Sequence, residues 1–124
     1  MRKISAITFA VALLIGCATS REVPGDYELV STAKIPASAL PGFMDCVNNT
    51  FRDRTIGLGV TLTNRQQQRS SMTRIELVSG EWGAVLSADI HQDGKVELYE
   101  TTLPVRSRTE DEKAGYASCL QRFK

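Results

Sequence analysis

The residues of this 124-residue chain whose types could do chemistry fall into three groups. The single histidine, His91, stands two residues after Asp89, a spacing that puts both side chains on one face of a strand, where a carboxylate could orient an imidazole as a general base. No nucleophile is tied to this pair by spacing, and a histidine on a solvated strand is ordinarily a surface residue, so the pair is read as binding surface and not as a catalytic dyad. Three cysteines, Cys17, Cys46 and Cys119, form the second group. The third is Arg65, Arg69 and Arg74, guanidinium groups able to hold phosphate or carboxylate, in a glutamine-rich stretch that also suits a solvated loop. Together with Asp89, His91 and Tyr99 these arginines make up the candidate binding surface. Trp82, in a turn, could serve recognition or cap the core under the sheet edge. Gly57-Leu58-Gly59 lacks the third glycine and the strand-to-helix context of a nucleotide loop, and reads as a bend or bulge.

The segment from Asp89 to Glu100 resembles the twelve-residue calcium loop of EF-hand proteins. Asp89, Asp93, Gly94, Val96 and Glu100 fill loop positions as that family would have them, and the resemblance implies Asp89, Asp93 and Glu100 as calcium ligands. His91 departs from the pattern, because imidazole is a poor ligand for a hard cation. Flanking helices are also missing from the sequence pattern: Val96 to Leu103 is rich in strand formers and Pro104 would end an exiting helix. The same Asp-Gly-Lys is what a hairpin turn needs, so the preferred reading has no cofactor and keeps calcium as the alternative.

At the beginning of the chain, Arg2 and Lys3 precede a run of about a dozen mostly apolar residues, Ile4 to Ile15, the layout of a secretory signal. Leu14-Ile15-Gly16-Cys17 resembles the lipobox of bacterial lipoproteins. That resemblance implies cleavage of residues 1–16, lipidation of Cys17, and anchorage to the envelope through several acyl chains, which hold far more firmly than one. Ala18, where an aspartate would retain the protein at the inner membrane, implies the outer membrane, with the domain facing the periplasm. Lipidating Cys17 resolves the odd cysteine count and leaves Cys46 and Cys119 to pair in an oxidising compartment. Losing Arg2 and Lys3 leaves 13 cations against 14 acids, a balance that gives no bulk electrostatic case for nucleic acid.

The elements that would position these groups follow from periodicity. Residues 17–35 read as a tether with room for an edge strand at Tyr27–Thr32, and residues 36–124 as one α+β domain. Leu40, Phe43, Met44, Val47 and Phe51 share a stripe at helical spacing, predicting a helix from Ala39 to about Thr50 that tolerates Pro41 in its first turn. Alternation then predicts strands at Ile56–Thr63, Met72–Val78, Ala84–His91 and Lys95–Leu103, with residues 64–70 as a polar hairpin loop. A three-residue Gln92-Asp93-Gly94 loop keeps apolar residues opposite one another by pairing Ile90 with Val96 and Ala88 with Leu98. Thr109 and Glu112 have the form of a capping box opening a last helix, whose stripe is Tyr116, Cys119, Leu120 and Phe123.

The expected architecture is therefore a four-stranded antiparallel sheet with two helices packed on one face, in the order helix–β–β–β–β–helix, the other face being open to water. The expected function is that of a small non-catalytic envelope lipoprotein, a structural or protein-binding module with an envelope protein as partner. The alternative is a ligand-binding or inhibitor module that binds calcium at residues 89–100 or inhibits a wall hydrolase.

Overall fold

The computed structural model describes residues 26–57 and 59–124; the expected signal segment 1–16, Cys17 and the expected tether up to residue 25 lie outside the described residues. The chain runs as β1 (Tyr27–Lys34), α1 (Leu40–Thr50), β2 (Arg54–Thr55), β3 (Thr61–Gln68), β4 (Met72–Ser79), β5 (Gly83–His91), β6 (Lys95–Thr101) and α2 (Glu110–Phe123). Short 3-10 turns at Ala37–Ala39 and Pro104–Arg108 precede the two helices. The six strands form one antiparallel sheet in the order β1-β6-β5-β4-β3-β2.

Consecutive hairpins join β3 to β6, and their alternation builds the core. Ile75, Leu77, Leu86, Ala88, Ile90, Val96 and Leu98 are all buried on the face that carries the helices. Onto them α1 lays Leu40, Phe43 and Val47, with Phe51 just beyond its end, and α2 lays Tyr116 and Cys119. The Phe43 and Tyr116 rings meet edge to face at 5.7 Å, a geometry that sets one ring's positive edge against the other's negative face. The helices approach so closely that a Cβ on Gly115 would stand 2.5 Å from the Thr50 methyl. Their neighbourhood is sealed by a Cys46–Cys119 disulfide, with Cα atoms 5.8 Å apart.

The sheet has six strands where four were expected; one of the additional strands is the edge strand for which Tyr27–Thr32 left room, and the order is strand–helix–five strands–helix. Tyr27–Lys34 pairs along the whole of β6 and occupies the sheet edge; a bulge at Val30 shifts its register between Leu29 and Ser31. The Ile35 amide then donates to Gly94 O at 2.8 Å, tying the end of β1 to the β5–β6 turn. At the opposite edge β2 adds two residues beside Thr61 and Leu62.

The strand expected at Ile56–Thr63 is displaced, because Gly57 and Gly59 take φ of +95° and +77°. Such backbone makes a turn, closed by the Val60 amide on Gly57 O and the Ile56 amide on Val60 O, and the alternation of Ile56 and Val60 is coincidental. β3 instead occupies most of the segment expected to be a polar loop. Its polarity has a local reason: Asn64 reaches Phe51 O at 2.6 Å and Asn48 Oδ1 at 2.9 Å, satisfying the end of α1 rather than adding to the core.

The expected capping box is also corrected. Thr109 Oγ donates back to Arg106 O, and Glu112 turns to Arg54, whose Nε lies 2.6 Å from Oε2 and whose Nη2 lies 3.0 Å from Oε1. A bidentate guanidinium outcompetes the backbone amide for that carboxylate. The β5–β6 register is as expected, Ile90 opposite Val96 and Ala88 opposite Leu98, with Gly94 at φ +100°.

Candidate functional site

The face of the sheet away from the helices gathers the candidate binding residues. Register sets Arg65, Glu76, Ser87 and Tyr99 in one row across β3–β6, and Gln67, Arg74, Asp89 and Glu97 in the next. Strand alternation makes both rows inevitable once Ile75, Leu77 and Ala88 face the helices.

This face is charged, but it is not the simply solvated surface expected. Arg74, Glu76, Ser87 and Asp89 are buried, each at 5% exposure or less. Carboxylates and guanidinium groups neutralise one another across strands: Arg74 Nε donates to Asp89 Oδ1 at 2.7 Å and Nη2 to Oδ2 at 3.2 Å, while Arg65 Nη2 meets Glu76 Oε1 at 3.1 Å. Glu76 Oε2 has no hydrogen-bond partner among the described residues. Arg69 Nη2 donates to Gln67 Oε1 at 2.9 Å. Arg65, Arg69 and Arg74 therefore contribute to a mixed-charge lattice and not to an isolated basic hairpin.

His91 does not join Asp89. Its Nε2 lies 3.0 Å from Glu97 Oε1, and the Tyr99 hydroxyl donates to Glu97 Oε2 at 3.2 Å. Burial raises the Glu97 pKa, yet the His91 and Tyr99 hydrogen bonds and the nearby Lys95 charge outweigh it and hold the carboxyl below its ordinary value. Beneath the sheet, burial pushes the Tyr116 phenol upward, and the carboxylates of Asp89 and Glu97 add to the effect. Its hydroxyl has no hydrogen-bond partner among the described residues.

The three carboxylates of the calcium alternative are distributed rather than convergent. Asp89 is held by Arg74 on the charged face; Asp93 sits in the hairpin turn and accepts the Lys95 amide at 2.9 Å. Glu100 lies on the helix side of the sheet, opposite Leu86, where Lys113 of α2 reaches it at 2.8 Å. Among the described residues no three histidine, cysteine, aspartate or glutamate side chains come together in a group able to hold a metal ion.

A second feature lies at the end of the sheet. Trp82, in the β4–β5 turn and 38% exposed, walls a cavity of about 350 Å³ together with Ile56, Val60, Pro104, Val105 and Arg108. Sequence reasoning named Trp82 and the bend at Gly57 without connecting them, since the lining segments lie more than twenty residues from Trp82 on either side. Only the fold joins them.

Comparison of the chain with protein-family models, with curated proteins and with solved structures finds no match.

Proposed function

We propose that this chain is a small non-catalytic lipoprotein of the bacterial envelope, anchored to the outer membrane through Cys17, whose domain binds an envelope protein through the charged face of its sheet. The observation that carries the reading is the Cys46–Cys119 disulfide, a bond that persists in exported proteins and is kept reduced in the cytosol. It agrees with the export signal and the lipobox resemblance of Leu14-Ile15-Gly16-Cys17. The half-exposed part of the charged face supports the binding role, because Arg65 and His91 are already held by Glu76 and Glu97 and lose little freedom when a partner docks.

Two measurements test the proposal. Labelled palmitate should enter the wild-type protein and not Cys17→Ala, which should leave the membrane fraction. Crosslinking in intact cells should then capture one stoichiometric envelope protein, and Arg65→Gln, in protein whose thermal melt shows it still folded, should weaken the capture by removing a charge from the docking face. Label uptake unchanged by Cys17→Ala would refute the anchor, and capture insensitive to the face would refute the docking surface.

The second reading, a ligand-binding module, draws support from the cavity beside Trp82.

A further inference from the structure

The cavity at the end of the sheet has the composition of a ligand site for which the charged face has no use. Its volume of about 350 Å³ falls within the range of small-molecule pockets. Ile56, Val60, Pro104 and Val105 give it apolar walls, Trp82 gives it an aromatic one, and among the described residues no acid lines it. Two donors at this site are unused. The guanidinium of exposed Arg108 makes no hydrogen bond or ion pair among the described residues, and neither does the Trp82 indole N–H. Most other arginines of the domain are engaged, with Arg54 on Glu112, Arg65 on Glu76, Arg74 on Asp89 and Arg106 on Glu28.

The frame around the cavity is fixed. The 3-10 turn Pro104–Arg108 is closed by the Arg106 amide on Leu103 O at 3.0 Å, and Arg54 donates to the Arg108 carbonyl while holding Glu112. On the other side the Trp82 and Glu81 amides both approach Ser79 Oγ, at 3.4 and 3.1 Å, which sets the turn that presents the indole. The backbone positions of Trp82 and Arg108 are thus established before any ligand arrives, which lowers the ordering cost of binding.

We infer that this cavity binds a small amphipathic carboxylate, its aromatic or alkyl body against Trp82 and Val105 and its carboxylate on Arg108. Apolar walls without a charge partner would favour a neutral ligand; the unpaired guanidinium and the lack of lining acids select an anion, and a carboxylate matches the guanidinium fork. Two sources offer that chemistry: a free aryl or alkyl acid, and the terminal residue of a polypeptide ending in an apolar side chain.

Trp82 is the only tryptophan in the chain, so its fluorescence reports this site alone. The full chain is titrated with 3-phenylpropanoate, with its uncharged amide, and with N-acetylglycylphenylalanine. A saturable change in Trp82 emission is expected with at least one of the acids, weakened about tenfold or more for the amide and in Arg108→Ala, since a hydrogen bond to a charged group is lost in each case. Tighter binding of the dipeptide assigns the site to chain termini, and tighter binding of the free acid assigns it to small acids. No saturable change up to about 10 mM of either acid overturns the inference, as does binding that the amide or Arg108→Ala leaves unchanged. The amide comparison needs no variant and stands whatever Arg108→Ala does to the fold.

Discussion

Arg74 and Asp89 stand directly opposite each other on β4 and β5, joined by two hydrogen bonds, with only 6% of each side chain exposed. Removing charges from water costs several kcal/mol per ion, so such a pair holds only while both partners are present. Asp89→Ala, which takes the carboxylate away from the buried guanidinium, is expected to cost about 3–5 kcal/mol of unfolding free energy. The paired replacement Arg74→Met with Asp89→Leu removes both charges and is expected to fall within about 1 kcal/mol of wild type. Urea melts of Arg74→Met, of Asp89→Leu and of the double variant close the cycle and measure the coupling; additive losses would show that the pair does not act as a unit.

The Cys46–Cys119 bond spans 73 residues and ties α1 to α2. In the chain-entropy model such a closure restrains the unfolded state by about 4 kcal/mol, a large part of a small domain's net stability. Replacing both cysteines with serine is expected to lower the denaturant midpoint by a corresponding amount, and reductant should do the same to the wild type but nothing further to the variant. Equal midpoints with and without reductant would mean that the bond is either absent or immaterial.

Glu97 gives the charged face a defined response to acid. Its folded pKa lies below the ordinary 4.5, so around that value the unfolded chain binds more protons and stability rises with pH. The contribution is fully present above the unfolded pKa and is lost as the pH falls through the lower folded one. Because the group is partly solvated the effect is small, under about 1 kcal/mol. Wild type should exceed Glu97→Gln in stability at pH 7, with the gap narrowing toward pH 3. A gap that widens on acidification would reverse the assigned sign.

Much of the fold was legible because apolar alternation and burial coincide in β4, β5 and β6, and the Ile90–Val96 register followed from keeping like faces together. β3 escaped because Asn64 and its glutamines spend strand positions on the end of α1 and on exposed edges, leaving no apolar period to read. Ile56 and Val60 gave a false period, since the positive φ of Gly57 and Gly59 is a backbone property that alternation ignores. The charged face was legible as residues and illegible as a site: nothing in the spacing of Arg65, Arg74 and Asp89 distinguishes buried cross-strand pairs from solvated charges. The Trp82 cavity depends on the meeting of the β4–β5 turn, the 56–60 turn and the segment before α2, which local sequence does not encode.

Tyr116 offers a test of the core. The residue is 1% exposed and packs edge to face on Phe43, while its hydroxyl makes no hydrogen bond among the described residues and its phenol is strongly disfavoured from ionising. Leaving a buried hydroxyl unsatisfied costs about 1–3 kcal/mol, a penalty that phenylalanine does not carry. Tyr116→Phe keeps the ring and its contacts and is expected to leave stability unchanged or raise it by about 1 kcal/mol. Tyr116→Leu, which removes the aromatic edge as well, is expected to lose about 2 kcal/mol, combining the ring pair and the unfilled volume. Thermal melts of the two variants separate these contributions. Destabilisation of Tyr116→Phe by more than about 1 kcal/mol would mean that the hydroxyl is satisfied in solution, by water or by a bound group.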